Sequence, residues 1–191
     1  MVNVTVKPAN QVALYYICRN LREIDAQEIY PLCHHDNPLI LAQQTMRACN
    51  AGKGKIIWVN GIPAAVCGVH PEFDGHMNYR VFAFGTHHWK AAAYPVMREL
   101  RKIAREVIKE HGTMRMQADS SEHHKEAHAW MERMNGKLES VMPHYGKNGE
   151  TYYRYVWLRD DVSWMNSPEW APYNTEEIKP CADQKAAVLS L

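Results

Sequence analysis

The chain begins with an alternating pattern of apolar and polar residues and then changes to helical spacing. Residues 2–7 alternate valine with Asn, Thr and Lys, which predicts a half-buried strand that ends at Pro8. Residues 10–21 predict a helix, and residues 26–32 predict a second, short helix. The predicted apolar positions of the first helix are Val12, Tyr15, Tyr16 and Cys18.

A third helix is predicted to begin at Asn37 and Pro38. Asparagine is a preferred N-cap residue, and proline suits the first turn because its missing N–H would have no partner there. Residues 50–54, which include two glycines, end the helix. Its predicted inner face contains Leu41, Thr45, Met46 and Cys49.

From residue 55 the apolar period changes to two. Residues 55–60 and 62–70 flank Asn60 and Gly61, which together are a strong signal for a two-residue hairpin turn. Residues 77–84 predict a third strand. The middle of the chain is therefore predicted to form an antiparallel meander of three strands.

The remainder of the sequence alternates helices and strands. A long helix up to Gly112 is predicted from the stripe of Val96, Leu100, Ile103 and Val107. Strands are predicted at residues 113–118, 137–142 and 151–158. A helix is predicted between the first two strands, and residues 119–121 are its N-cap candidates. The predicted inward positions of this helix are Ala127, Trp130, Met131 and Met134. The order predicts a mixed α/β fold (α+β with a mixed sheet), with about seven strands and flanking helices.

Length, charge and cysteine content narrow the function classes. A chain of 191 residues is enough for one domain, predicted at residues 1–160, with an extended C-terminal tail at residues 161–191. The formal net charge of +1 gives no general attraction to nucleic acid or anionic membranes, and no apolar run is long enough to span a membrane. Five cysteines at scattered spacings fit reduced thiols, and a protein that is cytosolic or packaged from the cytosol is expected.

Two local clusters suggest binding, and each also has a simpler explanation. The run from Cys33 to Asp36 collects four potential metal ligands, but adjacent residues do not easily close a tetrahedron, so no metal is predicted. Basic residues also recur along the long helix, interrupted by glutamates. They favour a solvated face, with contact to a protein or to packaged DNA as the alternative. These basic residues are Arg98, Arg101, Lys102, Arg105 and Lys109.

Three stretches, together with the order of elements, carry a resemblance to known families. They are "NLREIDAQEI", "FGTHHW" and "YGKNGETYYRYVW", and "AHAWMERMNGKLES" leads into a strand in the same way. Residues 2–159 resemble the GCN5-related N-acetyltransferase (GNAT) superfamily, and more narrowly the GNAT-like internal virion protein A of podophages. The resemblance implies a phage virion component that is located in the particle and, during assembly, in the host cytoplasm. Its partners would be other virion proteins, and self-association stays open.

The resemblance to GNAT enzymes also implies where acetyl-coenzyme A would bind. Residues 86–95 occupy the position of the family's pyrophosphate loop, in which glycines let backbone N–H groups approach the phosphates. The only glycine, Gly85, lies before this stretch, Trp89 is bulky, and Pro95 has no N–H to donate. If acetyl-coenzyme A binds, the residues that would contact it are Phe84, Gly85, Thr86, His87, His88, Trp89 and Lys90.

The catalytic groups of the family are not matched either. The tyrosine that serves as general acid in many GNAT enzymes aligns with Trp130 or Met131, and neither side chain has an O–H to donate. Glu72 and Tyr145 are the remaining candidates for catalysis, but a solvated loop carboxylate is the favoured explanation of Glu72, and no local pattern requires Tyr145 as the acid. Cys67 lies within an apolar strand and is expected to be an inert core thiol.

The sequence therefore leaves two main functions open. Trp164, Trp170 and Tyr173 lie in a segment with several prolines and are candidates for anchors on a partner protein. The first hypothesis is a virion protein with a degenerate acetyltransferase fold that has no cofactor and acts through protein contacts. The alternative is an active acetyl-coenzyme A-dependent N-acetyltransferase with an atypical loop, and a coenzyme binder without turnover lies between the two.

Overall fold

One seven-stranded sheet with helices on both faces forms the described part of the chain. A computed structural model describes residues 2–73, 77–113 and 115–159. The strands are β1 (Val4–Pro8), β2 (Lys53–Val59), β3 (Ile62–Pro71), β4 (Asn78–Gly85), β5 (Arg115–Ser121), β6 (Lys137–Met142) and β7 (Tyr152–Leu158). The helices are α1 (Gln11–Arg19), α2 (Glu23–Ile29), α3 (Pro38–Ala51), α4 (Trp89–His111) and α5 (Lys125–Arg133), and a 3₁₀ turn at Tyr30–Leu32 follows α2. This confirms the predicted mixed α/β fold.

The sheet is mixed because one pair of strands is parallel. The strand order is β1-β2-β3-β4-β5-β7-β6, and every neighbouring pair is antiparallel except β4 and β5. The hairpin between β2 and β3 forms as predicted, with positive φ angles of 51° at Asn60 and 80° at Gly61. The helix α4 makes the crossover from β4 to β5.

The two faces of the sheet carry different helices because neighbouring strand residues point in opposite directions. Ile56 packs with α1 and α3 on one face, whereas Ile57 packs with α4 on the other. The stripe predicted on α4, Val96 to Val107, is buried throughout and confirms the amphipathic helix. Cys67 is fully buried beneath α4, and burial raises the pKa of its thiol, as expected for an inert core residue.

The inward face predicted for α1 is partly wrong. Val12 is 82 % exposed and the two tyrosines are also exposed, while Ala13, Leu14, Ile17 and Cys18 form the buried face. Both stripes have helical spacing, so the spacing does not distinguish them. The aliphatic stripe is buried because it packs against α3 without removing phenol oxygens from water.

The strand β5 extends further than predicted. Asp119, Ser120 and Ser121 were expected to precede a helix as N-cap candidates, but they pair with β7. The helix α5 instead begins after His124, whose side chain makes no capping hydrogen bond to the helix. Pairing with β7 satisfies the backbone groups of these three residues within the sheet. As a result, the side chains of β5 reach the candidate site described below.

Some predictions fall outside the described residues. Trp164, Trp170 and Tyr173 belong to the segment that the structure does not describe, so their role as anchors and the division at residue 160 stay predictions. Among the described helices, none combines the length and apolar character needed to cross a membrane. The described residues also contain no cluster of three or more His, Cys, Asp or Glu side chains arranged to hold a metal ion.

Candidate functional site

A cleft opens where the parallel strands β4 and β5 separate. Their backbones pair only from Asn78 to Arg80 on β4 and from Arg115 to Gln117 on β5. Beyond this point β4 stays paired with β3, and β5 stays paired with β7. The two strands therefore diverge towards their carboxyl ends and leave a gap in the middle of the sheet.

The gap forms a cleft of about 510 Å³ that reaches both faces of the sheet. On one face, Trp89, Ala93 and Trp130 from α4 and α5 line it. On the other face, Cys33 and Thr45 lie on the side of α3. A volume of this size is typical of small-molecule sites, and both walls are largely apolar.

The short helix α2 crosses the open end of the cleft. The backbone N–H of Arg22 donates to the carbonyl of Gly85 at 3.0 Å, and the N–H of Gly85 donates to Asp25 Oδ2 at 2.9 Å. At the other end of the same helix, Glu28 Oε2 accepts from the backbone N–H of Ser121 at 2.9 Å. The helix α2 is thus tied to the carboxyl ends of both β4 and β5.

A histidine and a glutamate meet beside the end of β5. Nδ1 of His124 lies 2.9 Å from Oε2 of Glu28, and the same oxygen accepts from the Ser120 hydroxyl at 2.6 Å. All three residues line the cleft. No local pattern of the sequence predicts this arrangement, because Glu28 falls within the predicted helix of residues 26–32 and His124 lies 96 positions further along the chain.

The closed end of the cleft is a network of ion pairs. Asp119 accepts from Arg154 at 2.7 Å and from Arg80 at 2.7 Å, and Arg80 also contacts Glu72 at 2.7 Å. Burial raises the pKa of Asp119, but the hydrogen bonds from Arg154 and the charge of Arg80 outweigh it and hold that pKa below its usual value. The Tyr145 hydroxyl donates to Asp119 at 3.3 Å.

The two catalytic candidates from the sequence both belong to this network. Glu72 also accepts two hydrogen bonds from the Gln117 amide, so its carboxylate is fully engaged and it does not line the cleft. Tyr145 is 41 % exposed and its oxygen bridges Asp119 and Arg154. Catalytic roles for Glu72 and Tyr145 stay predictions, and the geometry gives both residues a structural partner.

The predicted coenzyme loop lies at the start of α4, beside the cleft. Phe84 and Trp89 line the cleft directly. The N–H of Thr86 donates to the carbonyl of Ala64 at 2.8 Å, and the N–H of His88 donates to the Thr86 hydroxyl oxygen at 3.3 Å. Among the described residues, no partner is found for the N–H groups of His87 and Lys90. These two donors, at the positive end of a 23-residue helix, are free to bind an anion.

Gly85 has a packing role in this loop. A Cβ at this position would lie 2.6 Å from the carbonyl oxygen of Ala64 and 3.0 Å from the Trp89 ring. The glycine is therefore required by the close approach of β3 and Trp89, and its own N–H is already bound to Asp25.

Aromatic and charged side chains meet above Trp89. The guanidinium of Arg22 lies 4.3 Å from the centre of the Trp89 ring, and it forms ion pairs with Asp25 at 2.7 Å and Glu126 at 3.2 Å. The Trp89 and Trp130 rings are 6.3 Å apart. This cluster joins α2, α4 and α5 at one entrance of the cleft.

Comparison with solved structures identifies the fold. An acetyltransferase of the GNAT family from Bacillus anthracis has a TM-score of 0.61 at 14 % identity, over 82 % of this chain and 95 % of that one. This is the GNAT fold. The Salmonella typhimurium protein YncA, solved with its cofactor acetyl-CoA, has a TM-score of 0.62 at 14 % identity, over 90 % of this chain and 98 % of its own. An N-acetyltransferase from Staphylococcus aureus Mu50 has a TM-score of 0.62 at 12 % identity, over 82 % of this chain and 98 % of that one.

The sequence comparisons add no closer relative. No family model matches the chain, and no curated protein matches it in sequence. At identities of 12–14 %, the similarity to solved structures is a statement about the fold. The predicted GNAT architecture is therefore confirmed.

Proposed function

We propose that this chain binds an acyl-coenzyme A, acetyl-coenzyme A in the first instance, and transfers the acyl group to an amine. The observation that carries the proposal is the open cleft between β4 and β5 in a GNAT fold. The similar protein YncA was solved with acetyl-CoA, which supports the same class of ligand here.

The residues around the cleft fit this ligand in part. The unpaired N–H groups of His87 and Lys90 suit a phosphate at the start of α4, and the exposed Lys90 side chain adds a positive charge. The apolar wall with Trp89 and Trp130 suits an extended, weakly polar arm. The N–H groups of Thr86 and His88 are already used, so we expect affinity in the micromolar range and not tighter.

The chain's own residues would bind and orient the coenzyme and would exclude water from the cleft. Acetyl-coenzyme A supplies an activated acetyl thioester. Trp130 and Met131 line the cleft at the position where many GNAT enzymes have a tyrosine, and neither has an O–H to protonate the departing thiolate. A thiolate can leave without prior protonation because thiols are acidic, with a pKa near 8.5 for cysteine, so the reaction does not require a tyrosine.

Calorimetric titration with acetyl-coenzyme A tests this proposal on the whole chain. Lys90→Ala removes the exposed charge at the start of α4, and Lys102→Ala removes an equally exposed lysine further along the same helix. We expect the first variant to bind about five- to tenfold more weakly, and the second to bind as the wild type does. No heat from the wild-type protein at millimolar coenzyme would refute the proposal.

We also propose, for the location of the protein, that it is a component of a phage particle. The resemblance of "NLREIDAQEI", "FGTHHW" and "YGKNGETYYRYVW" to internal virion protein A supports this, as does the departure of residues 86–90 from the coenzyme-loop pattern. Its partners would be other virion proteins, with assembly in the host cytoplasm. This proposal is independent of catalysis, because a packaged protein can carry an enzymatic activity.

Mass spectrometry of purified particles tests the location. A phage that encodes this chain should carry it in density-purified particles, and deletion of residues 161–191 should reduce its incorporation if the aromatic residues there are anchors. Absence from wild-type particles would refute the virion role. Unchanged incorporation of the truncated chain would refute the anchor role alone.

A further inference from the structure

We infer that His124 is the proton acceptor for the amine in this cleft and that Glu28 positions it. The inference rests on the proposed acyl transfer and names the group that would activate the acceptor. Both residues line the cleft, and they lie on different elements, α2 and the junction of β5 with α5.

The contact with Glu28 determines which nitrogen of His124 is available. An ionised carboxylate only accepts hydrogen bonds, so the nitrogen that faces it, Nδ1 at 2.9 Å, carries the proton. In the neutral imidazole the lone pair is then on Nε2. Among the described residues, Nε2 of His124 has no hydrogen-bond partner. The unpaired side-chain atoms that are wholly shut off from solvent in this part of the chain do not include it. The accessible nitrogen is therefore the basic one.

Glu28 is held in place on several sides. Its Oε2 accepts from the Ser120 hydroxyl and from the N–H of Ser121, in addition to His124. Its backbone carbonyl accepts from the Tyr152 hydroxyl. Three donors at one oxygen hold the carboxylate in place, and the fixed carboxylate restricts rotation of the imidazole. This is the arrangement by which a carboxylate orients a histidine base.

The proton and the electrons balance in the transfer that we infer. The amine nitrogen forms a bond to the acetyl carbon while the bond from that carbon to sulfur breaks. The proton lost by the amine moves to Nε2 of His124, and the departing thiolate carries the electron pair of the broken bond. The imidazolium then releases its proton to the thiolate or to water, which restores His124 for the next cycle.

A purely structural role of His124 would need only the contact between its Nδ1 and Glu28. To tie α2 to β5, His124 has to donate from Nδ1 to Glu28, and Nε2 has no part in that contact. His124→Asn keeps an N–H close to the position of Nδ1 and removes the basic nitrogen. The neighbouring His123 has 84 % of its side chain exposed, so His123→Asn is a matched control for the same chemical change.

The experiment measures coenzyme binding and turnover on the whole chain. Binding is followed by calorimetry with acetyl-coenzyme A. Turnover is followed by chromatography of released coenzyme A with 1,4-diaminobutane, with a lysine-containing peptide, and with water as the only acceptor. For His124→Asn we expect kcat to fall about 100-fold or more, with the Kd for the coenzyme and the melting temperature unchanged. We expect His123→Asn to match the wild type in all three.

The outcomes separate the inference from the function on which it rests. If the wild type turns over and His124→Asn retains kcat within threefold, His124 is not the base, while acyl transfer stands. If the wild type binds the coenzyme but turns over none of the acceptors, the site is a binding site without transfer, and the catalytic assignment is overturned. If the wild type does not bind the coenzyme, the proposed function and this inference both fail.

The pH profile tests the positioning role of Glu28. The charged and titratable groups around His124 are Glu28 on α2, Arg22 just before α2, Asp119 on β5, and Lys125, Glu126 and His128 on α5. Burial and the charge of Lys125 lower the pKa of His128 to about 4, so His128 stays neutral in an assay from pH 5.5 to 9.

Glu28→Gln removes the charge that favours the imidazolium form of His124. We therefore expect the acidic limb of kcat/KM to move to lower pH, since a weaker base loses its proton at lower pH. Glu106→Gln removes a carboxylate that pairs with Lys53 outside the cleft, and it should leave the limb in place. An acidic limb at the same pH in Glu28→Gln and in the wild type would overturn the positioning role.

Discussion

His128 makes the stability of this fold depend on pH. Its ring is buried, stacks on Tyr153 with ring centres 4.9 Å apart, and donates from Nε2 to the carbonyl of Ser121 at 2.9 Å. Burial and, to a smaller extent, the nearby charge of Lys125 lower the pKa of His128 from its ordinary value of 6.5 to about 4. The folded protein therefore holds this histidine neutral, whereas the unfolded chain protonates it below pH 6.5.

The sign and size of the effect follow from this difference. Between pH 6.5 and pH 4 the unfolded state binds more protons at His128 than the folded state, so the free energy of unfolding falls as the pH falls. A shift from 6.5 to about 4 corresponds to a loss of about 2 kcal/mol at pH 5 and about 3 kcal/mol at pH 4, relative to neutral pH. Above pH 6.5 the contribution is fully present.

Urea unfolding of the wild type and of His128→Gln, from pH 7.5 to pH 4, measures this loss. The variant is expected to be less stable at pH 7.5, because it loses the stacking on Tyr153. Its deficit should shrink by about 2 kcal/mol by pH 5, since glutamine does not titrate. His123→Gln is the control, because the exposed His123 should not change the slope. A parallel pH dependence of the wild type and His128→Gln would refute the reasoning.

Three further predictions concern the frame of the cleft and its thiols. Asp25→Asn should lower the free energy of unfolding by about 3 kcal/mol, because it breaks a buried ion pair and weakens the acceptor for the Gly85 N–H, whereas the exposed Glu126→Gln should cost less than about 1 kcal/mol in the same urea assay. Gly85→Ala should lower the melting temperature and reduce coenzyme binding, since its Cβ would contact the Ala64 carbonyl; an unchanged melting temperature would contradict this close approach. In the native state iodoacetamide should modify the half-buried Cys33 faster than the enclosed Cys67, as measured by peptide mass spectrometry, and equal rates would contradict the described burial.

The order of elements could be predicted from the sequence because it depends on local patterns. The hairpin at Asn60 and Gly61, the N-cap at Asn37 and the apolar stripe of α4 are all signals between residues close in the chain. The face of α1 could not be predicted, because two stripes have the same spacing and only contact with α3 distinguishes them.

The candidate site depends on contacts between distant parts of the chain. Glu28 and His124 are 96 positions apart, and Arg22 and Glu126 are 104 positions apart. The sequence drew attention to the loop of residues 84–90, which does lie beside the cleft. The hydrogen bonds from Gln117 to Glu72 could not be anticipated, because no local pattern relates these two residues, which are 45 positions apart.

The sequence by itself determined most of the secondary structure and the order of the elements, since these follow from periodicity, turn residues and caps, and its quoted stretches carried the resemblance to GNAT proteins. Only the tertiary structure decided where the strands separate, which carboxylates are already paired, and which histidine retains an accessible nitrogen. The physical reason is that a hydrogen bond or an ion pair between distant residues forms only when the packed sheet holds both groups within about 3 Å of each other.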